Sequence, residues 1–378
     1  MPLPSSPAWL PIALFALWFL GARLALVRLR DLPELPDRGR EGPLPSVCIC
    51  IPVRDEEQEV GAALDSWLAQ DYPGLRIVLV DDGSRDATPA ILAPRAAARP
   101  DRLRVLRNET LPPGWLGKNH ALDLASRQPE SLAADWLLFS DGDVQASPDL
   151  LRRAMAFLEA NPGDLLALLP RVDTVGLAER VFLPCATVAF LWAVPFGQVP
   201  RPGSAAHCGV GAFTLVSRRA YDAVQGHRGA PMVVVDDMNL AYRVKAAGFT
   251  NRVARGGPDL HLRMYRGLGD LVVAMRKNVL PVPVLVWLAP LSAVVALAVP
   301  LCPVLLALTG QPWAGLALWL LVPPVLGEVN QRFSQRPADL AWAFWPLNGL
   351  PLALGILWAL ADRLRGVNHW RGRDVRIS

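Results

Sequence analysis

The feature that most constrains this chain is a pattern repeated between residues 46 and 143. A short apolar run ends in polar or acidic residues, and a helix-like stretch follows it. The runs are VCICIPV (47–53), RIVLVDDGS (76–84), RLRVLRN (102–108) and DWLLFSDGD (135–143). The first, an apolar run ending at a proline, reads as a buried strand, and the other three read as further strands. Between the first two, residues 57–70 place Val60, Leu64, Trp67 and Leu68 on one helical face. Strand followed by helix, repeated, predicts an α/β domain with a mostly parallel sheet. Ligands of such sheets bind beyond the carboxyl ends of the strands. Both acidic clusters, Asp81–Asp82 and Asp141–Asp143, fall there.

The flanks obey another rule. Hydrophobic residues make up 52% of the 378, and they concentrate before about Val27 and after about Leu280. Residues 8–27 are long enough to cross a bilayer core of roughly 30 Å. A cleaved signal peptide carries its positive charge before the apolar run, whereas Arg23, Arg28 and Arg30 come late or after it. The stretch therefore reads as a retained anchor whose C-terminal end faces the cytoplasm. Candidate spans follow at 281–308, 312–329 and 340–361. Three spans plus the anchor would leave the arginine-rich end outside, against the positive-inside rule. Pro346, Gly349 and Pro351 make the last segment a candidate re-entrant or interfacial helix. Residues 178–198, broken by Pro184 and Pro195, are expected to lie at the interface or line an acceptor groove.

The expected organisation is an anchor (1–30), a linker (31–45), a catalytic domain (46–280), membrane segments (281–362) and a basic cytoplasmic tail (363–378). This is a multi-pass protein of the cell (inner) membrane with its catalytic domain in the cytoplasm. The net charge of +4 fits a basic rim against anionic lipid. No basic run interleaved with aromatics marks a nucleic-acid surface, and no nucleic-acid partner is expected. The five cysteines form no CxxC pair and read as small buried hydrophobes in a reducing compartment.

Five motifs carry candidate chemistry. Ser140-Asp141-Gly142-Asp143 ends a strand with two carboxylates, hard oxygen ligands suited to Mg²⁺ or Mn²⁺ beside diphosphate oxygens. A solvated loop is its bland alternative. Asp81 and Asp82 can accept hydrogen bonds from a base or ribose, or simply make an Asp-Gly turn. Lys118, in PGWLGKN (113–119), stands at a helix start and can reach a phosphate. Asp236 and Asp237 open a helix, where an acid is either a cap or a general base for an acceptor hydroxyl. Arg263 and Arg266, one helical turn apart, can face the same phosphates or snorkel at the interface.

Taken in order, IPVRDEE, LVDDGSRDAT, GWLGKNHAL, FSDGD, VDDMNLAYRVKAAGF and RMYR resemble the family 2 glycosyltransferases of the GT-A fold, over residues 46–267. The GWLGK loop and the N-terminal anchor look like the membrane subgroup acting on carotenoid, hopanoid-associated and ceramide-type lipids. The resemblance implies a Rossmann-like nucleotide-diphospho-sugar transferase domain. Pro52, Arg54, Glu56, Asp81 and Asp82 would hold the nucleoside, and Lys118 the nucleotide or its diphosphate. Asp141 would touch ribose or sugar and share the metal with Asp143. Asp237 would be the base, with Asp236 beside it, and Arg263 and Arg266 would close over the diphosphate. His261 is a weaker candidate metal ligand. Asp55 stands where the family often has Asn, and Gly267 replaces the Trp of processive synthases. The expected activity is inverting, metal-dependent transfer of a hexose from a UDP-hexose to a lipid hydroxyl, a carotenoid being the preferred acceptor. The alternatives are a processive polysaccharide synthase-translocator and a non-catalytic scaffold that keeps the fold. Residues 198–217 are expected to form an acceptor-side loop followed by a strand, with Gly203, Ser204, Gly209 and Gly211 leaving room for a bulky apolar chain; a plain flexible loop is the alternative.

Overall fold

The structure is a computed structural model and describes residues 9–279, 289–333, 339–365, 369–370 and 373–374. Its centre is an eight-stranded sheet in the order β3-β2-β1-β4-β7-β6-β8-β5. The strands are β1 (Val47–Val53), β2 (Arg76–Asp81), β3 (Leu103–Arg107), β4 (Trp136–Phe139), β5 (Gln145–Ala146), β6 (Leu165–Val172), β7 (Thr214–Ser217) and β8 (Asn251–Leu262). Strands β3, β2, β1 and β4 are mutually parallel. β7 runs antiparallel between β4 and β6, which returns β6 and β8 to the first direction. The carboxyl ends of β1, β2, β4, β6 and β8 therefore share one edge. Strand order reverses between β1 and β4, the kind of crevice where such sheets bind ligands.

The period of two along each strand divides the core. Val47, Ile49, Ile51 and Val53 pack with Ile77 and Leu79 against α2 (Val60–Leu68) and α6 (Leu150–Ala160). Cys48, Cys50, Val78 and Val80 face the other way, against α4 (Gly117–Ser126) and α9 (Asp236–Ala246). All five cysteines are reduced; four are buried, and Cys185 is half-buried.

The second layer runs on into the apolar helices. The same core contains Ala22, Leu26 and Leu29 of α1 (Trp9–Arg30) and Val188 and Leu191 of α7 (Leu177–Ala193). Further on come α8 (Arg218–Ala223), α10 (Leu268–Val279), α11 (Ala289–Leu308), α12 (Pro312–Phe333) and α13 (Gly349–Arg365). Among the described residues, three segments are long and apolar enough to cross a membrane: Leu177–Gln198, Pro312–Phe333 and Leu340–Arg365. The last is divided. A 3-10 stretch, Leu340–Leu347, ends at Asn348 before α13 begins, where Pro346 and Gly349 interrupt the helical pattern. Residues 281–288 of the first expected C-terminal span, and most of the basic tail, lie outside the described residues.

The expected linker is ordered. Leu32 and Leu35 are buried, the Pro33 carbonyl accepts the Arg255 N–H at 2.8 Å, and Glu34 pairs with Arg255. β8, absent from the sequence reading, owes its concealment to Gly256-Gly257-Pro258, which read as a breaker. The sheet absorbs them in a register shift against Leu169–Arg171 of β6.

Candidate active site

Four of the expected residues meet at the shared edge. Lys118, from the first turn of α4, lies between two carboxylates: Asp141 Oδ1 at 2.8 Å and Asp236 Oδ1 at 3.2 Å. Burial opposes its charge, but Asp141, Asp236 and Asp237 outweigh burial and hold its pKa well above the usual lysine value. Asp237, in the first turn of α9, accepts the Met238 N–H at 2.7 Å. Burial and then the Asp236 charge push its carboxyl up to about 6, against the opposing pull of Lys118. Two acids and an ammonium thus surround a third acid poised near neutrality, the range that suits a general base.

Two glycines that sequence reasoning assigned to acceptor room instead make the close packing possible. A Cβ on Gly211 would lie 2.5 Å from Asp141 Oδ2, and one on Gly209 would strike the Asp237 carbonyl. The space is filled by the Asp141 carboxylate and the Asp237 main chain. The Gly211 carbonyl also accepts the Asp141 N–H at 3.0 Å. Behind this segment Asn251, fully buried, accepts the Cys208 N–H at 2.8 Å and donates to the Cys208 carbonyl at 3.1 Å. Neither role leaves a periodic signal in the sequence.

The expected nucleoside side is a laced double loop. Asp81 turns inward, accepting the Ser84 N–H at 2.9 Å and pairing with Arg107 at 3.5 Å. Asp82 accepts from Asn108 Nδ2 at 2.6 Å, and Arg54 donates to the Asp82 carbonyl at 2.9 Å. Asp55 has φ 52°, a left-handed conformation that short polar residues tolerate, and its carboxylate accepts the Arg85 N–H at 2.7 Å. The Glu56 N–H goes to Thr88 Oγ1 at 2.9 Å, and Pro52 lines the cavity shared with Lys118 and Asp237.

The structure corrects one local expectation. Arg263 and Arg266 are not a helical turn apart, because β8 runs to Leu262 and α10 starts only after Gly267, at φ 90°. In the connector between them the side chains part: Arg263 reaches the buried Glu179 at 3.3 Å, and Arg266 pairs with Glu59. His261 gives its Nδ1 to Asp173 at 2.8 Å and lies in register with Gln145, just beyond Asp143.

Among the described residues no group of three or more His, Cys, Asp and Glu forms a closed metal cage. The donor chemistry of Asp141 and Asp143 fits a hard divalent ion that takes its remaining ligands from phosphate oxygens and water.

A half-parallel sheet with acids at its switch point is the GT-A fold of glycosyltransferases. Over 94% of this chain and 99% of the other, it superposes with TM-score 0.60 on a mannosyltransferase from Pyrobaculum calidifontis, solved in complex with GDP-Man and Mn²⁺, at 18% identity. Residues 48–224 match the model of glycosyl transferase family 2, and this part of the chain is a domain of that family. The chain is 27% identical over 237 residues to a beta-monoglucosyldiacylglycerol synthase of Synechocystis sp., covering 60% of this chain and 47% of that one. It is 24% identical over 226 residues to a 4,4'-diaponeurosporenoate glycosyltransferase of Staphylococcus aureus, covering 58% and 57%. The chain thus spans about half the length of these two relatives.

Proposed function

We propose that this protein transfers a sugar from a nucleotide-diphosphate sugar to a hydroxyl of a membrane lipid, in a single inverting displacement. The observation that carries the reading is Asp237, a half-buried carboxylate whose pKa is pushed up to about 6, in the cavity it shares with the Lys118 ammonium. Asp237 removes the acceptor hydroxyl proton as the oxygen attacks. Lys118 is positioned to exchange an aspartate partner for a phosphate oxygen and so offset charge building on the leaving diphosphate. Arg263 and Arg266 reach the diphosphate by leaving Glu179 and Glu59. Asp143 and Asp141 would hold Mg²⁺ or Mn²⁺, which supplies further positive charge at the diphosphate when bound. A lipid acceptor is supported by the apolar helices packed against the catalytic core and by the names of the two relatives. UDP-hexose as donor and a carotenoid as acceptor are the specific forms of the proposal, with the catalytic domain on the cytoplasmic face.

The test uses membranes containing the protein, Mg²⁺ or Mn²⁺, and a panel of labelled nucleotide sugars. Label is expected in the organic-extractable lipid. Asp237→Asn should lower transfer by about 10²–10⁴-fold, the range typical of a lost general base, while nucleotide binding persists. Transfer undiminished in Asp237→Asn would remove Asp237 from the mechanism. Label in a water-soluble polymer would favour the processive synthase.

A further inference from the structure

His227 has no part in the chemistry above, yet it lines the same cavity as Lys118, Asp141 and Asp236. It lies in the 3-10 turn Gly226–Gly229 and is 3% exposed. Gly226, at φ 48°, leaves the space a Cβ would need to the ring of Tyr221. The Tyr221 hydroxyl therefore meets His227 twice, at the backbone N–H (3.2 Å) and at Nδ1 (2.9 Å).

Counting protons along this chain fixes the tautomer. Ser126 Oγ donates to the Asp123 carbonyl at 2.9 Å. Toward Tyr221 it can then only accept, and it takes the phenolic proton at 3.1 Å. With its one proton committed, the Tyr221 oxygen is an acceptor for His227, so Nδ1 carries the imidazole proton. Burial, then the charges of Lys118 and Arg243, pull the His227 pKa down to about 3. The ring is neutral at physiological pH, and Nε2 presents a bare lone pair.

The ring sits edge-on to Phe139, centroids 4.7 Å apart, and Phe139 immediately precedes Ser140-Asp141. Two of the three ammonium protons of Lys118 have their partners in Asp141 and Asp236. We propose that His227 is a positioning residue for Lys118: its Nε2 accepts the third N–H of the ammonium through one water held in the cavity they share. A neutral acceptor suits this place. A carboxylate there would add another negative charge beside Asp141, Asp236 and Asp237, and a cation would repel Lys118. The inference rests on the proposed site only in its kinetic part.

The test uses the full chain in lipid nanodiscs with ¹⁵N-labelled histidine. Long-range ¹H–¹⁵N spectra should show His227 protonated at Nδ1 at pH 7 and still neutral at pH 5, and its Nε2 shift should move in Lys118→Met. An Nε2–H tautomer, or an Nε2 shift indifferent to Lys118→Met, overturns the proposal. The side-chain amide of Asn matches Nδ1, and that of Gln matches Nε2. His227→Asn should fold normally yet raise the KM for the nucleotide sugar by about tenfold or more, the size of one hydrogen bond to a charged group. His227→Gln should stay within about threefold of wild type, far less than such a loss. The reverse order, or losses that merely follow thermal stability, overturns it as well. Should the chain transfer no sugar, the spectra alone decide.

Discussion

At the scale of single residues, the site is a problem in placing charge. In the proposed mechanism Asp237 takes a proton only when ionised, and burial and the Asp236 charge push its carboxyl up to about 6. Transfer should therefore fall as pH drops through 6 and level off above it. A pH profile of the single-turnover rate checks this, and an acid limb near 4, the ordinary carboxylate value, would contradict it. The glycines are as demanding as the acids. Gly211→Ala puts a methyl group 2.5 Å from Asp141 Oδ2 and 3.5 Å from Lys118 Nζ. It should lower transfer at least tenfold with little loss of thermal stability, because the half-buried Asp141 side chain can yield where the sheet cannot. Sequence reading found the acids because a carboxylate straight after an apolar run is conspicuous. It could not see why Gly211 is glycine, since the atom that forbids a side chain there arrives from seventy residues away. His227 was invisible for another reason: its tyrosine partner is only six residues away, but the Gly226 turn that brings them together leaves no periodic mark.

At the scale of elements, four parallel strands and their helices were legible because each is a local pattern. β1 to β4 fall inside the apolar runs, with only the polar ends trimmed. In the other half of the sheet only β7 was legible, as the strand that closes residues 198–217. β7 reverses direction between β4 and β6, long excursions join β6, β7 and β8, and the Gly-Gly-Pro of β8 imitates a loop. This largely unread half carries Asn251, the residue that pins the glycine segment to β8. Asn251→Ala removes both hydrogen bonds to Cys208 and leaves two buried backbone groups unsatisfied. A loss of about 2–4 kcal/mol is expected in chemical denaturation. Transfer should fall too, because Gly209 and Gly211 are released from the acids. Normal stability in this variant would show that water or a shifted backbone replaces the amide.

At the scale of the molecule, the catalytic core and the apolar helices share one continuous interior. Leu26 of α1, Leu191 of α7 and Leu326 of α12 belong to the same cluster as Val80 and Leu137 of the sheet. Glu179 completes the join. This acid of α7, 1% exposed, accepts the Val175 N–H at 2.8 Å and the Gly267 N–H at 2.8 Å, and pairs with Arg263. One carboxylate thus ties an apolar helix to the end of β8, on the edge of the sheet where the acids stand. A joint of this kind behaves as a depth stop. If α7 is seated at the bilayer, the height of Asp237 above the lipid is set by the fold, and the enzyme selects acceptors by reach. In a series of otherwise identical lipids with the hydroxyl on progressively longer polar spacers, transfer should pass through a maximum. Glu179→Gln should broaden that maximum, and a flat response in the wild type would mean that the joint moves.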